Sequence, residues 1–233
     1  MCKEYLMKNF FKGLTVVAVA CAAVVAQATP VYGNLSAPGV YYGSGNVNGN
    51  WTIDNNDIVQ LGLRAKDRST GASVDGSSGI YHVPVGACAG IGICTGTRQY
   101  LTYDFSVEGK GNRSLNGFTF LLGVDHDPTV GTNFTFVNAA TYWLDNAISP
   151  TGRGFQNSQN VGFGSTPGGA FNPTLEGLYD FTLQAFNPQG NLVGSTTMHV
   201  QLGKKIPVPE PGSLALLGAG LAGLMVTRRK QVP

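Results

Sequence analysis

From Val59 to Leu202 apolar side chains recur at every second position, in runs divided by clusters of turn residues. That period fits strands, whose side chains alternate between two faces; a helix needs an apolar stripe every third or fourth residue. In "YLTYDFSV", Leu101, Tyr103, Phe105 and Val107 alternate with Thr102, Asp104 and Ser106. "IVQLGLRAK" sets Val59, Leu61, Leu63 and Ala65 against Gln60, Arg64 and Lys66, and "LYDFTLQAF" sets Tyr179, Phe181, Leu183 and Ala185 against Asp180, Thr182 and Gln184. Each predicts a strand with one face in a core and the other toward water. "GFTFLLGV" (117–124) is apolar for longer and predicts a central strand covered on both faces. The connections "SGNVNGN", "DGSSG", "NPQGN" and "GFGSTPGGAFNP" are turn material, and residues 178–202 predict a closing hairpin. The expectation is an all-β fold, a β-sandwich or jelly-roll-like ectodomain over residues 29–203, long enough to bury its own core.

The two ends are of a different kind. Lys3, Lys8 and Lys12 precede "GLTVVAVACAAVVAQA", which closes on Ala26-Gln27-Ala28, the small-x-small pattern that signal peptidase cuts. Residues 1–28 therefore read as a signal peptide; Met7 is an alternative start, and Cys21 a rival lipoprotein cleavage site. At the other end no charge occurs from Pro211 to Thr227, and a helix of about seventeen residues reaches roughly 25 Å, the short end of what a bilayer core requires. A buried helix of a soluble domain would show a polar face, and this run has none. The expectation is a linker at 204–212, a transmembrane helix at 213–227 and a tail at 228–233 whose Arg228, Arg229 and Lys230 stay on the cytoplasmic side.

With the ends set aside, Thr29 to Gly203 holds seven basic and eleven acidic residues, a net charge of −4. The basic balance of the whole chain belongs to its targeting ends, so a nucleic-acid surface is not expected. Of the four cysteines, Cys2 and Cys21 fall in the signal peptide. Cys88 and Cys94 remain, a pair in an oxidising compartment, and predict a disulfide rather than a metal site or a catalytic thiol.

Motifs for catalysis are scarce. The chain lacks HExxH, GxSxG and a phosphate-cradling loop, and His82, His126 and His199 are expected in surface strands or loops. Asp125 and Asp127 in "VDHDPTVG" are the candidate calcium ligands, with "DNND" (54–57) a weaker one, though neither spacing fits an EF-hand. No other cofactor is expected. Tyr41, Tyr42, Trp51, Tyr142 and Trp143 sit in polar company that suits sugar stacking, against the plainer expectation that they fill the core. A polysaccharide hydrolase needs two carboxylates across a cleft. Glu108 and Glu176 are the ectodomain's glutamates, with Asp104, Asp125, Asp127 and Asp180 as alternatives.

"VPEPGSLALLGAGLAGLMVTRRK" (208–230), with its Pro-Glu-Pro, apolar segment and basic end, resembles the PEP-CTERM sorting signal of exported Gram-negative proteins. The resemblance implies that Pro209, Glu210 and Pro211 mark the region processed by exosortase and that Arg228 and Arg229 stop translocation. It implies an inner-membrane-anchored precursor, delivery to the outer surface or extracellular matrix, and an association with exopolysaccharide and biofilm. The partners expected are signal peptidase, exosortase, the inner membrane and extracellular polysaccharide. The final hairpin resembles the last two strands of immunoglobulin-like surface modules. A non-enzymatic matrix protein is the leading expectation; a secreted polysaccharide hydrolase or carbohydrate-binding module is the alternative.

Overall fold

A computed structural model describes residues 31–36, 39–41, 46–164, 166–167 and 171–204. The expected signal peptide, the expected linker beyond Lys204, the expected transmembrane helix and the basic tail lie outside the described residues. Every regular element within them is a strand: β1 (Val31–Gly33), β2 (Trp51–Asn55), β3 (Val59–Asp67), β4 (Ile80–Val83), β5 (Leu101–Gly109), β6 (Thr119–Asp125), β7 (Phe134–Asn138), β8 (Ala147–Ile148), β9 (Gly154–Asn160), β10 (Gly177–Phe186) and β11 (Leu192–Leu202). They form a six-stranded sheet, β1-β2-β3-β5-β9-β8, and a five-stranded sheet, β4-β11-β10-β6-β7. All pairings are antiparallel except β4 with β11. The fold is a β-sandwich.

Alternation places the core between the sheets. Val59, Leu61, Leu63 and Ala65 of β3 and Leu101, Tyr103, Phe105 and Val107 of β5 meet Phe120, Leu122 and Val124 of β6, Tyr179, Phe181, Leu183 and Ala185 of β10, and Met198, Val200 and Leu202 of β11. The Tyr103 and Phe181 rings pack across the gap at 4.9 Å between centroids. Each such side chain contributes about 1.5–3 kcal/mol on leaving water. Asp54 adds a polar staple between the sheets, its Oδ2 accepting the Ser195 N–H at 2.8 Å. The predicted closing hairpin is the β10–β11 pair, turning at 187–191, its ladder running from Gly177 opposite Leu202 to Phe186 opposite Leu192. β6 lies one place from the sheet edge, between β10 and β7. Its inner face is buried, and Gly123 on the outer face lies under Phe134 and Phe136, so the cover expected on both faces is partial.

The outer faces of the two sheets differ. On the five-stranded sheet the polar faces of β10 and β11 remain partly in water, and Asp180 Oδ1 lies 2.6 Å from His199 Nδ1. β3 and β5 are buried on both faces, which corrects the expectation that Gln60, Arg64, Lys66, Thr102, Asp104 and Ser106 face water. Register aligns these residues across the sheet in rows: Lys66–Thr102–Asn160, Arg64–Asp104–Ser158 and Gly62–Ser106–Gln156.

What covers these rows is the segment before β2, held by side chains rather than by strand pairing. The Arg64 Nε donates to Asp104 Oδ2 at 2.8 Å, its Nη1 to the carbonyls of Val47 (2.9 Å) and Gly49 (3.0 Å), and its Nη2 to the carbonyl of Tyr41 (3.1 Å). Its guanidinium carbon lies 4.3 Å over the Trp51 ring, a cation–π contact. Lys66 Nζ takes the other carboxylate oxygen, Asp104 Oδ1, at 3.1 Å. Gln60 accepts the Ser36 N–H at 2.9 Å and Gln156 donates to the Gly39 carbonyl at 3.2 Å. Leu35, Trp51 and Ile53 form a second small core on this side. Gly62 makes room for it, since a Cβ there would lie 2.7 Å from Leu35 Cδ2.

Three measurements follow from these contacts. Arg64→Ala leaves Asp104 buried with one cation fewer and releases three carbonyls, so urea unfolding should show a loss of about 3–5 kcal/mol; a loss below about 1 kcal/mol, the scale of an exposed pair, would mean that the segment is held by other contacts. Cys88 and Cys94 are bonded, six residues apart, with Cα atoms 5.8 Å from each other. Reduction should cost about 2 kcal/mol, and peptide mapping that recovers both as free thiols from exported protein would contradict the bridge. The hydrogen bond to Asp180 raises the His199 pKa above its ordinary 6.5, against the opposing effect of burial. A raised folded-state pKa stabilises below the unfolded value and ceases to do so as pH rises through the folded value. His199→Ala should therefore destabilise more at about pH 5 than at about pH 8; an equal effect at both would sink that coupling.

Candidate functional site

At its Lys66 end the polar face opens into a pocket of about 270 Å³. The row Lys66–Thr102–Asn160 and Ser158 beside it contribute from the sheet, and Arg68, immediately after β3, from its edge. Opposite stands an irregular hairpin closed by the disulfide, which brings Ile93 and Arg98 to the pocket.

That hairpin is fixed from three sides. Cys88 and Cys94 are both buried. The Ile93 N–H donates to the Ser69 carbonyl at 2.8 Å. Gly92 passes this point with φ +55°, and a Cβ there would lie 2.0 Å from the Ser69 oxygen, so a side chain is barred twice over. Asn160 closes the third side: its Oδ1 accepts the N–H groups of Gln99 (2.9 Å) and Gly162 (3.0 Å), and its Nδ2 donates to the carbonyls of Gln99 (2.7 Å) and Leu101 (3.1 Å) and to Thr102 Oγ1 (2.9 Å). Arg98 in turn donates to the carbonyl and hydroxyl of Thr95, both at 2.8 Å, and its guanidinium lies 5.6 Å over the Phe163 ring.

The lining contains three cations and no carboxylate. Asp104, beneath it, is already shared between Arg64 and Lys66. Arg68 and Arg98 belong to none of the ion pairs among the described residues, and the Nε of each is buried without an acceptor. A domain of net charge −4 thus concentrates positive charge and hydrogen-bond donors at one point. Such an arrangement can bind an anion that brings its own acceptors.

The candidates expected from sequence lie elsewhere. Asp125 Oδ1 accepts the N–H groups of Asp127 (3.0 Å) and Asn133 (2.7 Å), and Asp127 Oδ1 accepts that of Thr129 (2.9 Å), so both carboxylates brace the β6–β7 turn. No group of three or more His, Cys, Asp or Glu side chains able to hold a metal occurs among the described residues. Burial first, and then the charges of Asp125 and Asp127, push the Tyr179 hydroxyl up to about 12. In "DNND", Asp54 is the inter-sheet staple and Asn56 Oδ1 accepts the N–H groups of Ile58 and Val59.

Glu108 accepts from the Thr151 hydroxyl, with Arg153 Nη2 at 3.9 Å. It ends β5 near Val59 and Gly194, whereas Glu176 lies against Gly203, nine residues along β11's line. About 30 Å of strand separates them, too far to act across one cleft. His82 is exposed in β4, but His126 departs from the surface expectation: both its ring nitrogens are buried without a partner beside the Phe171 ring. Trp51 and Trp143 are core residues, the latter 5.2 Å from Phe105 between centroids, while Tyr142 is exposed. Tyr42, Ala26, Ala28, Pro209, Glu210, Pro211, Arg228, Arg229 and Lys230 lie outside the described residues.

No curated protein and no solved structure matches the chain, and the likeness of the final hairpin to immunoglobulin-like modules is unconfirmed. Residues 207–230 match the PEP-CTERM protein-sorting motif, so the chain carries the signal of an exported protein that is anchored transiently in the membrane and processed by exosortase.

Proposed function

We propose that this is a non-enzymatic protein of the cell envelope or extracellular matrix of a Gram-negative bacterium, released from its membrane anchor by exosortase and acting through its sandwich in association with exopolysaccharide. The supporting observation is where the sorting motif falls. β11 is paired on both sides, ends at Leu202, and is followed within five residues by the start of the matched motif. The last described contacts run from the Gly203 N–H to the Val83 carbonyl at 3.0 Å and from the Gln201 amide to the Lys204 carbonyl at 2.8 Å. Cleavage within the motif removes none of the described strands, so the domain keeps its fold when the anchor goes.

Signal peptidase acts at Ala26-Gln27-Ala28 and exosortase at the other end. A Pro-Glu-Pro sequence is disfavoured in a helix interior and biased toward extended forms, which suits recognition by a protease at the membrane surface. Residues 213–227 hold the precursor in the inner membrane, and Arg228, Arg229 and Lys230 oppose its passage. The non-enzymatic reading draws support from the separation of Glu108 and Glu176.

Glu210→Ala, or Pro209→Ala with Pro211→Ala, should leave a full-length, membrane-retained precursor, whereas the wild type should lose its C-terminal peptide in cells that contain exosortase. Deleting residues 228–230 should instead let the short apolar segment slip through the membrane. Intact mass and membrane fractionation, in strains with and without exosortase, decide the matter. Equal masses and equal fractions throughout would make this ending a plain anchor.

A further inference from the structure

We propose that the pocket of Lys66, Arg68 and Arg98 binds the carboxylate of an acidic sugar residue, a uronate within a polysaccharide. This rests on the exopolysaccharide association proposed above and names the surface that makes it. Arg68 and Arg98 line the pocket and belong to none of the ion pairs among the described residues. A carboxylate offers two oxygens and a full negative charge to two such guanidinium groups. Lys66, itself held by Asp104, adds a third positive charge from the sheet.

The remaining surface fits the ring that carries the carboxylate. Phe163 is 39% exposed and borders the pocket under the Arg98 guanidinium, so an apolar ring surface is available for the C–H face of a sugar. Thr102 Oγ1 accepts from Asn160 and keeps its own hydrogen to donate, and Ser158 brings a second hydroxyl. The pocket, of about 270 Å³, is large enough to receive a sugar residue.

A second hollow, of about 240 Å³, shares Asn46, Gly71 and Ile93 with the first and runs on to Thr70 and Ser73. Its lining carries no charge. One charged hollow continuous with one neutral, hydroxyl-bearing hollow suits an acidic sugar joined to a neighbour. Free phosphate would satisfy the cations and leave both Phe163 and the neutral hollow unused.

The test is calorimetry on the full chain in mild detergent, titrated with oligogalacturonate, with the same oligomer methyl-esterified, and with inorganic phosphate. Oligogalacturonate should bind, and esterification should weaken binding by about tenfold or more. Arg68→Ala and Arg98→Ala should each do the same, Arg98→Lys should recover part of the loss because it keeps charge without the fork, and Arg113→Ala, exposed on another loop, should change nothing. Phe163→Ala removes an exposed ring with no demand on the core, and should weaken the oligosaccharide more than it weakens phosphate. Equal affinity for acid and ester, unchanged affinity in Arg68→Ala and Arg98→Ala, or phosphate binding as tightly as the oligomer would each overturn the proposal. Intact mass from the same cells reports exosortase processing separately, so a correctly processed protein that binds no uronate overturns the pocket and leaves the sorting assignment standing.

Discussion

The covering of the larger sheet's outer face centres on one buried guanidinium. Arg64 is fully buried on a strand whose other face is core, and it reaches Asp104 across the ladder and three backbone carbonyls in the segment above. A charge so placed is tolerable only when its donors find acceptors and a counter-charge is near. Each of the three Arg64 nitrogens donates, one to Asp104 and two to carbonyls of the chain before β2, which folds down over it. That segment includes Val40 with φ 76°, a conformation costly for a β-branched residue, and Asn50 with φ 59°. Bonds to the carbonyls on either side of Val40, those of Gly39 and Tyr41, and to those of Val47 and Gly49 are what a strained, strandless stretch needs to stay in one place.

The same face explains why the basic pocket lies where it does. Asp104 supplies one negative charge to both Arg64 and Lys66, so positive charge is in excess before Arg68 and Arg98 are added. Those two arrive by different routes, one on the residue that leaves β3 and the other on a disulfide-closed hairpin. Asn160 ties the routes together, with five hydrogen bonds from one amide joining β9, the start of β5 and the end of the hairpin. The disulfide, that amide and the Ile93 N–H on the Ser69 carbonyl together hold the two arginines in one frame.

The strands were legible because alternation is a local signal, and β3, β5 and β10 fall where the alternating runs place them. The burial of both faces was not legible. A covering segment without regular structure has no period, so Arg64, Lys66 and Asp104 look like any solvent-facing charges. The available hints were a glycine inside a strong strand at Gly62 and a tryptophan shortly before it at Trp51. The pocket was hidden for a related reason: Arg98 and Asn160 lie far along the chain from Lys66 and Arg68, and only strand register and the hairpin bring them together. The carboxylates of "VDHDP" were visible, but an Asp that caps its own turn and one that binds a cation look alike in sequence.

The place of the last strand has a consequence for the order of assembly. β11 is an inner strand, flanked by β10 and β4, and supplies Met198, Val200 and Leu202 to the core. A chain that crosses a membrane from its N-terminus delivers this strand after all the others. Until it emerges, β4 has no partner in its sheet and the hydrophobic interior stays open on one side. The sandwich therefore completes itself only when Leu202 is across, a few residues ahead of the sorting motif. Closure of the domain then coincides with exposure of the sorting motif, so the signal becomes readable at the moment the cargo is finished.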